Sequence, residues 1–374
     1  MNTATIMNSM TESDTFPING TDFIEFYVGN AKQASLYYQH CLGFELIAYR
    51  GPETGSRDIV SYVVKQGKVV FVLTSALNPN HEILKHVAQH GDGVKVLALW
   101  VDNARDAYQK AIERGAESAF EPYKIEDEFG YIIVAAIKTY GETIHTLVER
   151  SNYSGPFMPG YRPAKSVVAV KPLGFKYVDH CVGNVELGQM NRWVKFYEEV
   201  LGFKLLVTFD DKDISTEYSA LMSKVVSNGN GYIKFPINEP ANGKKKSQIE
   251  EYLDFYKSAG VQHIALETDN ILATVEGMRK NGIEFLYVPD NYYEDVLDRV
   301  GKIDETIEDL KRLNILVDRD EEGYLLQIFT KPIQDRPTVF FEIIERHGAK
   351  SFGKGNFKAL FESIEREQEL RGNL

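Results

Sequence analysis

The chain has 374 residues, of which 43% are hydrophobic, and its 42 Lys and Arg against 54 Asp and Glu give a net charge of −12. An acidic chain without a basic tract binds nucleic acid or an anionic membrane surface poorly, which argues against both as partners. No apolar run approaches the roughly 18 residues of a membrane-spanning helix, and the length allows two domains with separate cores.

The cysteine count and the first residues of the chain indicate the cellular compartment of the protein. Cys41 and Cys181 are too few for a disulfide framework or a cysteine-rich zinc site, and they predict a reducing, cytoplasmic environment. Residues 1–19 are polar and lack the charged and apolar regions of a signal peptide. They are predicted to form a flexible tail.

The first predicted elements occur twice in the chain. Residues 23–49 contain a strand, a Gly-Asn turn, a helix that ends at Gly43 and an alternating strand. Residues 177–207 repeat this order, with the helix ending at Gly202 and with VGN and LGF present in both copies. Five extra residues lengthen the loop of the second copy.

Two further matches follow in the same order. A strand and a helix at 94–117 correspond to 261–284, and HTLVER corresponds to FEIIER. Three ordered matches predict a duplicated chain built from strand-helix-strand units. The predicted parts are a first-half domain (20–152), a linker rich in Gly, Pro and Ser (153–163) and a second-half domain (164–374) that ends in a helix at about 356–370.

Three polar residues of the second half have no polar ionisable counterpart in the first half. The pairs are His180 against Phe26, His263 against Val96, and Glu342 against Thr146. Either histidine alone is more simply interpreted as a hydrogen-bonded core residue. Two imidazoles and a carboxylate that appear together on separate strands are instead typical of the facial triad of non-haem Fe(II) oxygenases.

The other spaced histidines do not compete with this set. His86 and His90 are four residues apart, but the HVAQH stretch lacks the glutamate of an H-E-x-x-H zinc helix. We expect them to lie on a solvated helix face.

Several longer motifs surround these residues. They are KYVDHCVGNV, GVQHIAL and DRPTVFFEIIER around the three polar residues, PINEP at 236–240, KKKSQIEEYL at 244–253, QIFTKP at 327–332 and the tail GKGNFKALFESIE. Together they closely resemble the 4-hydroxyphenylpyruvate dioxygenase family, over nearly the whole chain. The resemblance implies an α+β vicinal-oxygen-chelate (glyoxalase/bleomycin-resistance/dioxygenase) fold, with two tandem open β-barrel halves of repeated βαβββ modules.

The resemblance also implies a reaction. An Fe(II) ion in the second barrel would use O2 to convert 4-hydroxyphenylpyruvate to homogentisate and CO2, as in tyrosine breakdown. The substrate would supply its own 2-oxo acid. The expected partners are this small molecule and O2, with a homo-oligomer formed through edges of the first half.

The implied site residues fall into three groups. The metal ligands are His180, His263 and Glu342, and the polar catalytic residues are Ser219, Asn238, Gln248, Gln262 and Gln327. Strict strand alternation, however, places Gln262 on the face opposite His263. The residues that contact the substrate are Pro236, Phe329, Phe340, Asn356, Phe357, Leu360 and Phe361. Asn356 is predicted to cap a C-terminal helix that closes over the site as a lid.

Other functions on the same scaffold remain open. A 4-hydroxymandelate synthase would use the same metal and substrate, but Pro236, Asn238 and Phe340 resemble the homogentisate-forming pattern. A metal-free small-molecule binding protein would have no use for the triad. A ring-cleaving extradiol dioxygenase would share the triad but not the PINEP, QIFTKP and tail stretches.

Overall fold

A computed structural model describes residues 16–167, 169–210, 216, 218–241 and 243–373. The predicted flexible tail covers residues 1–19, and its first 15 residues lie outside the described ranges. Phe16 and Ile18 are 1% and 0% exposed and pack into the main core. The end of the predicted tail is therefore part of the packed structure, because both apolar side chains are removed from water there.

The first half runs twice through a strand, a helix and three strands, with one connecting helix. Its elements are β1 (Gly20–Tyr27), α1 (Ala31–Leu42), β2 (Glu45–Arg50), β3 (Ile59–Gln66), β4 (Val69–Ala76), the connecting helix α2 (Glu82–His90), β5 (Gly93–Trp100), α3 (Ala104–Glu113), β6 (Ser118–Asp127), β7 (Gly130–Lys138) and β8 (Ile144–Glu149). The short strand β9 (Arg162–Pro163) follows and pairs with β2.

The second half has the same order, with additional helices before its last three strands. Its elements are β10 (Phe175–Asn184), α4 (Met190–Leu201), β11 (Lys204–Phe209), β12 (Ala220–Ser227), β13 (Lys234–Ala241), the connecting helix α5 (Gln248–Tyr256), β14 (Gly260–Thr268), α6 (Ile271–Lys280), α7 (Val296–Val300), α8 (Ile307–Leu313), β15 (Leu316–Arg319), β16 (Tyr324–Phe329), β17 (Phe340–His347) and the final helix α9 (Phe357–Leu370). The expected βαβββ modules are present in both halves.

Each half forms one mixed sheet. The strand orders are β6-β7-β8-β5-β1-β4-β3-β2-β9 and β11-β12-β13-β10-β14-β17-β16-β15. In both sheets the first strands of the two modules are antiparallel neighbours, and each also pairs in parallel with the last strand of its own module. Among the helices within the described ranges, none has the length and apolar character needed to span a membrane.

Local sequence signals explain where the repeated helices begin and end. Asn30 caps α1 through its side chain, and Gly43 ends this helix in the left-handed region at φ 71°. Gly202 ends α4 in the same way at φ 67°. A side chain at either glycine position would strain the backbone, so LGF recurs because both helices turn into a strand there.

The pairing corrects one equivalence between the halves. Phe23 pairs with Ala98 in the first sheet, and His180 pairs with Ala265 in the second. Ala98 and Ala265 are equivalent positions of the repeat. The structural counterpart of His180 is therefore Phe23, and the prediction of Phe26 is wrong. The VGN match is misleading because Asn30 begins a helix, whereas Asn184 still belongs to a strand.

Apolar side chains fill the face of the first sheet that corresponds to the histidine-bearing face of the second. This cluster includes Phe23, Val63, Val72, Val96, Ala98, Val134 and Val148. A larger core joins the two halves, where the rings of Phe71 and Phe341 stack with centroids 5.7 Å apart. The first half is thus a packed scaffold, and the second half uses the same face for polar groups.

Helix α2 is more buried than the sequence predicts. The prediction of a solvated face for His86 and His90 is wrong, because these side chains are only 4% and 0% exposed. His81 stands before the helix and accepts a hydrogen bond from the backbone N–H of Ile83. The sequence pattern could not reveal that α2 packs against α5 of the other half.

Candidate metal centre

Three side chains from neighbouring strands meet on one face of the second sheet. His180 lies on β10, His263 on β14 and Glu342 on β17. The Nε2 atoms of the two histidines are 3.1 Å and 3.3 Å from the Oε2 atom of Glu342. All three residues are buried, and their ligand atoms form one of the His/carboxylate groups that could hold a metal ion.

Irregular strand pairing gives each histidine a polar neighbour on the same face. Asp179 is the extra residue of a bulge in β10, and Gln262 is the extra residue of a bulge in β14. A bulge interrupts the alternation of side chains. The prediction that Gln262 lies opposite His263 is therefore wrong, because it assumes an unbroken strand.

The two bulge residues orient the imidazoles. The Nδ1 atom of His180 is 2.7 Å from a carboxylate oxygen of Asp179, and the Nδ1 atom of His263 is 2.9 Å from the amide oxygen of Gln262. Oxygen acceptors at Nδ1 favour the tautomer that carries its proton there and leaves a lone pair on Nε2. Outer hydrogen bonds of this kind are typical of metal-binding histidines.

A buried ion pair supports the first of these contacts. Arg346 donates two hydrogen bonds to Asp179, at 2.8 Å and 2.9 Å. Although burial opposes ionisation, Arg346 and the hydrogen bond from His180 hold the pKa of Asp179 well below its usual range. The guanidinium thus keeps a charged acceptor beside His180.

The ligand carboxylate is ionised. Burial opposes its charge, but the neighbouring His180 and His263 imidazoles lower the pKa of Glu342 to about 2. Burial lowers the pKa of His263, whereas the Glu342 charge overcomes burial and raises the pKa of His180. An anionic oxygen facing two imidazole nitrogens in a buried site is the donor set expected for a divalent transition metal.

The three side chains lie in the wall of a pocket that opens from this face of the sheet. The wall is mainly apolar and aromatic, with a few amide groups. Besides the three, it is formed by Val182, Phe209, Leu221, Ser223, Val225, Pro236, Asn238, Gln248, Gln262, Gln327, Phe329, Phe340, Phe352, Phe357, Leu360, Phe361 and Ile364. The final helix α9 supplies four of these residues and covers the pocket.

Comparison with known proteins gives consistent matches along the chain. The family model described as hydroxyphenylpyruvate dioxygenase, N-terminal, matches residues 13–157, and that of the Glyoxalase/Bleomycin resistance protein/Dioxygenase superfamily matches residues 177–328. The 4-hydroxyphenylpyruvate dioxygenase of Coccidioides posadasii (strain C735) is 50% identical over 97% of this chain and 96% of its own length. That of Xenopus tropicalis is 50% identical over 94% and 92%.

The chain belongs to the 4-hydroxyphenylpyruvate dioxygenase family. Among solved structures, a mutant 4-hydroxymandelate synthase from Streptomyces coelicolor matches this dioxygenase with a TM-score of 0.83 at 32% identity, over 94% of this chain and 99% of the other. A xylose isomerase-like TIM barrel/4-hydroxyphenylpyruvate dioxygenase fusion protein matches the fold with a TM-score of 0.72 at 22% identity, over 94% of this chain and 53% of its own. The expected α+β fold of two tandem open barrels is confirmed.

The dioxygenase pocket brings together most of the residues singled out in the sequence. Those in its wall are Pro236, Asn238, Gln248, Gln262, Gln327, Phe329, Phe340, Phe357, Leu360 and Phe361. The ring of Phe340 lies against that of His263, with centroids 4.9 Å apart and an interplanar angle of 22°. Phe329 meets the same histidine edge-on at 5.9 Å.

Ser219 is not among the residues that form this pocket wall. Its hydroxyl donates to the carboxylate of Glu365 at 2.5 Å, which ties the start of β12 to α9. Ser223 lies four residues further along the chain, on β12. It lines the pocket and pairs with Asn238 on the neighbouring strand. The role of Ser219 stays a prediction, whereas the register between β12 and β13 turns Ser223 toward the pocket.

Asn356 stands at the expected start of α9, but its side chain makes no capping hydrogen bond. Its amide nitrogen donates to Gln327 at 3.0 Å, and its oxygen accepts from the hydroxyl of Tyr292 at 2.6 Å. The prediction of a side-chain cap is therefore wrong. Asn356 is buried and joins α9 to the strand that carries Gln327.

Some pocket residues carry no recognisable signal in the sequence. Phe352 lies edge-on to His180 with ring centroids 5.3 Å apart, and Phe209 meets Phe357 at 4.8 Å. Ile364 could have been found, because it continues the helical spacing of Phe357, Leu360 and Phe361 along α9. Phe352 and Phe209 lie in irregular or strand-end segments, where spacing does not indicate orientation.

Proposed function

We propose that this dioxygenase converts 4-hydroxyphenylpyruvate and O2 to homogentisate and CO2, as a non-haem Fe(II) enzyme of tyrosine breakdown. The observation that carries the proposal is the meeting of two imidazole nitrogens and one carboxylate at the wall of a largely apolar pocket. The names of the relatives, which are similar over more than nine-tenths of their length, point to the same substrate.

His180, His263 and Glu342 would hold the iron through Nε2, Nε2 and a carboxylate oxygen. The hydrogen bonds that the two imidazoles donate to Asp179 and Gln262 suit neutral imidazole ligands. Bound Fe(II) would supply the activation of O2 and the electrophilic centre that chelates a 2-oxo acid. With only three protein ligands, an iron held by these residues would have room for both molecules.

The remaining residues would bind and orient the substrate. Phe329 and Phe340 stand next to His263, where they can hold the aromatic ring beside the metal ligands. Gln248 and Gln262 approach each other through their amides at 3.5 Å, and with Asn238 they offer donors and acceptors to the phenol hydroxyl. The apolar wall would exclude water from the reacting groups.

Helix α9 would act as a lid over this pocket. Its inner face presents Phe357, Leu360, Phe361 and Ile364 to the cavity. Its outer contacts are polar, including hydrogen bonds from Ser363 to the carbonyl of Tyr287 and from Arg371 to Glu251. Ser363 and Glu251 are buried, so opening the helix exposes both to water, which replaces each hydrogen bond at a net cost of about 1 kcal/mol.

Product identification tests the function directly. Purified protein supplied with Fe(II), O2 and 4-hydroxyphenylpyruvate should yield homogentisate and one CO2 per substrate. Formation of 4-hydroxymandelate would assign the benzylic hydroxylation of its structural neighbour instead. Substrate binding without any turnover or iron retention would indicate a metal-free binding protein.

We also propose a homo-oligomer formed through the first half. Strand β6 ends the first sheet, and among its side chains Tyr123 is 49% exposed. A free sheet edge can pair with the same edge of a second copy. Light scattering of the purified protein should give a multiple of the 42.4 kDa chain mass, and Tyr123→Lys should shift it toward the monomer.

A further inference from the structure

A second His/carboxylate cluster lies outside the pocket, in the first half. His86 and His90 project from α2, and Glu142 lies in the turn between β7 and β8. The Oε2 atom of Glu142 is 2.7 Å from Nδ1 of His86 and 3.4 Å from Nε2 of His90. The two imidazole rings are 4.4 Å apart, so all three side chains converge on one small volume.

The orientation of His90 is the informative feature. This residue is fully buried, and its Nδ1 atom is hydrogen-bonded to the backbone carbonyl of Tyr256. A carbonyl can only accept, so Nδ1 carries a proton and Nε2 is the ring nitrogen left to face the cluster. Within the described part of the chain that Nε2 atom has no hydrogen-bond partner, and it faces the carboxylate of Glu142. A proton or a metal ion placed between this nitrogen and the carboxylate would satisfy both atoms.

The remaining groups define which ligand the cluster can take. The Nδ1 atom of His86 is hydrogen-bonded to Glu142, and its Nε2 atom is buried without a hydrogen-bond partner among the described residues. Glu142 is 43% exposed on its side chain, which leaves access to solvent for a water ligand. The ammonium of Lys95 is 3.8 Å from the Glu142 carboxylate and donates to its backbone carbonyl, and it opposes a second cation.

We propose that His86, His90 and Glu142 form a second metal site, for a divalent ion of the Zn²⁺ class. Two imidazoles, one carboxylate and a water complete a tetrahedral zinc shell. Ligand atoms about 2.0–2.1 Å from zinc lie about 3.3 Å apart in this geometry. The 3.4 Å separation between His90 and Glu142 matches it, and at His86 the ion would replace the proton of the 2.7 Å hydrogen bond to Glu142, whose two atoms must move apart.

The site would clamp the two halves of the protein together. His90 connects α2 to the carbonyl of Tyr256 at the end of α5, in the second half. Arg336, also from the second half, already donates hydrogen bonds to the backbone carbonyls of Gln89 and Ala88 at the end of α2. A bound ion would add the β7–β8 turn to this junction through Glu142. Its role is therefore structural, separate from the pocket metal.

Calorimetric titration with Zn²⁺ tests the proposal by stoichiometry. The wild-type chain should bind two ions, one in the pocket and one at the junction. Glu142→Gln should bind one, because the amide replaces an anionic ligand on a partly exposed turn without disturbing the core. The double variant His180→Ala and Glu342→Ala should also bind one, and combining all three changes should leave none.

Three further measurements sharpen the result. Zn²⁺ should raise the melting temperature of the double variant but not that of the triple variant. Lys95→Met should tighten the junction site by about fivefold, since one nearby exposed charge contributes up to roughly 1 kcal/mol. His40→Ala, which removes an exposed histidine of α1, is the control and should still bind two ions. One ion in the wild type, or two in Glu142→Gln, would overturn the proposal.

Discussion

The side-chain amide of Asn356 donates a hydrogen bond to Gln327 across 3.0 Å, and Gln327 in turn donates to the carboxylate of Glu342 at 3.3 Å. The first residue before α9 is thereby connected to a proposed metal ligand through one side chain. Because both bonds are buried, movement of α9 leaves a polar group of Gln327 without its partner. The position of the helix and the geometry of the metal site are therefore coupled.

Removing the final helix tests this coupling. Without residues 352–374 the iron ligands remain, so iron binding and most of the fold should survive, while turnover collapses because water enters the pocket. Oxygen consumption and homogentisate should be measured together, and consumption should exceed product. The finer variant Asn356→Ala should lower turnover by about tenfold, as expected for one lost buried hydrogen bond.

Removal of residues 372–374 alone is the matched truncation and should have full, coupled activity. An unfolded or aggregated product of the long truncation would show that α9 is a core element. Full activity in that truncation would eliminate a lid.

The metal ligands should be individually essential. His180→Ala, His263→Ala and Glu342→Ala each remove one of three ligands, so bound iron should fall to background and turnover should be abolished. Folding should persist, since the first half forms the same scaffold without these residues. Iron content, product formation and urea unfolding measure the three effects. Glu321→Ala, an exposed carboxylate in the same half, is the control. Two ligand variants that retain iron and turnover would refute the assignment.

Asp179→Asn should weaken both metal binding and stability. Arg346 would lose its charged partner, and breaking a buried ion pair costs about 3 kcal/mol or more of unfolding free energy. His180 would lose a charged outer acceptor, which typically weakens metal affinity by roughly 10–100-fold. Urea unfolding and metal titration report these separately. Asp269→Asn breaks an exposed pair with Lys176 and should change stability by less than about 1 kcal/mol.

Phe340→Ile should misdirect the reaction. The phenyl ring stacks on His263, so a smaller side chain lets the substrate shift beside the metal ligands. A displacement of about 1 Å can cost on the order of a hundredfold in rate. We expect slower turnover and a second product, measured by chromatography. Phe341→Ile is the matched control, because Phe341 packs against Phe71 on the other face. It should lower stability and leave the product pure; the reverse pattern would place Phe340 outside the substrate site.

His145 should make the junction between the halves sensitive to acid. Its Nδ1 donates to the carbonyl of Leu97, and the hydroxyl of Tyr197 in the second half lies 2.8 Å from its Nε2. Burial lowers the pKa of His145 to about 4, whereas an unfolded histidine has a pKa near 6.5. The unfolded chain therefore binds more protons below pH ~6.5. The free energy of unfolding should decrease as the pH falls from ~6.5 to ~4.

Urea unfolding at pH 7.5 and pH 5 measures the size of this effect. His145 alone should contribute a loss of about 2 kcal/mol between these values. His145→Gln should be less stable at pH 7.5 but should lose about 2 kcal/mol less on acidification. His86 titrates in the same window, so the difference between the two proteins isolates His145. His40→Gln should behave as the wild type, and equal pH dependence in His145→Gln would contradict the prediction.

The sequence by itself determined the duplicated architecture and the three proposed ligands. Alternating and helical spacings, the glycines that end α1 and α4, and the repeated order of motifs are local properties of the chain. His180, His263 and Glu342 stood out because they are absent from the other copy of the repeat. Neither inference required knowing which strands pair. The first-half counterpart of His180 was nevertheless assigned to the wrong residue, because the loops that follow the two strands differ in length.

Only the tertiary structure decided the environment of these residues. The bulges that turn Asp179 and Gln262 toward the imidazoles depend on the register between β10 and β14, far apart in the chain. Asn356 points to Gln327 instead of capping its helix, because a buried partner is supplied by a distant strand. His90 is buried by α5 of the other half. Spacing along a chain indicates which face a side chain takes only while a strand or helix is regular, whereas pairing and packing decide where bulges fall and what each side chain contacts.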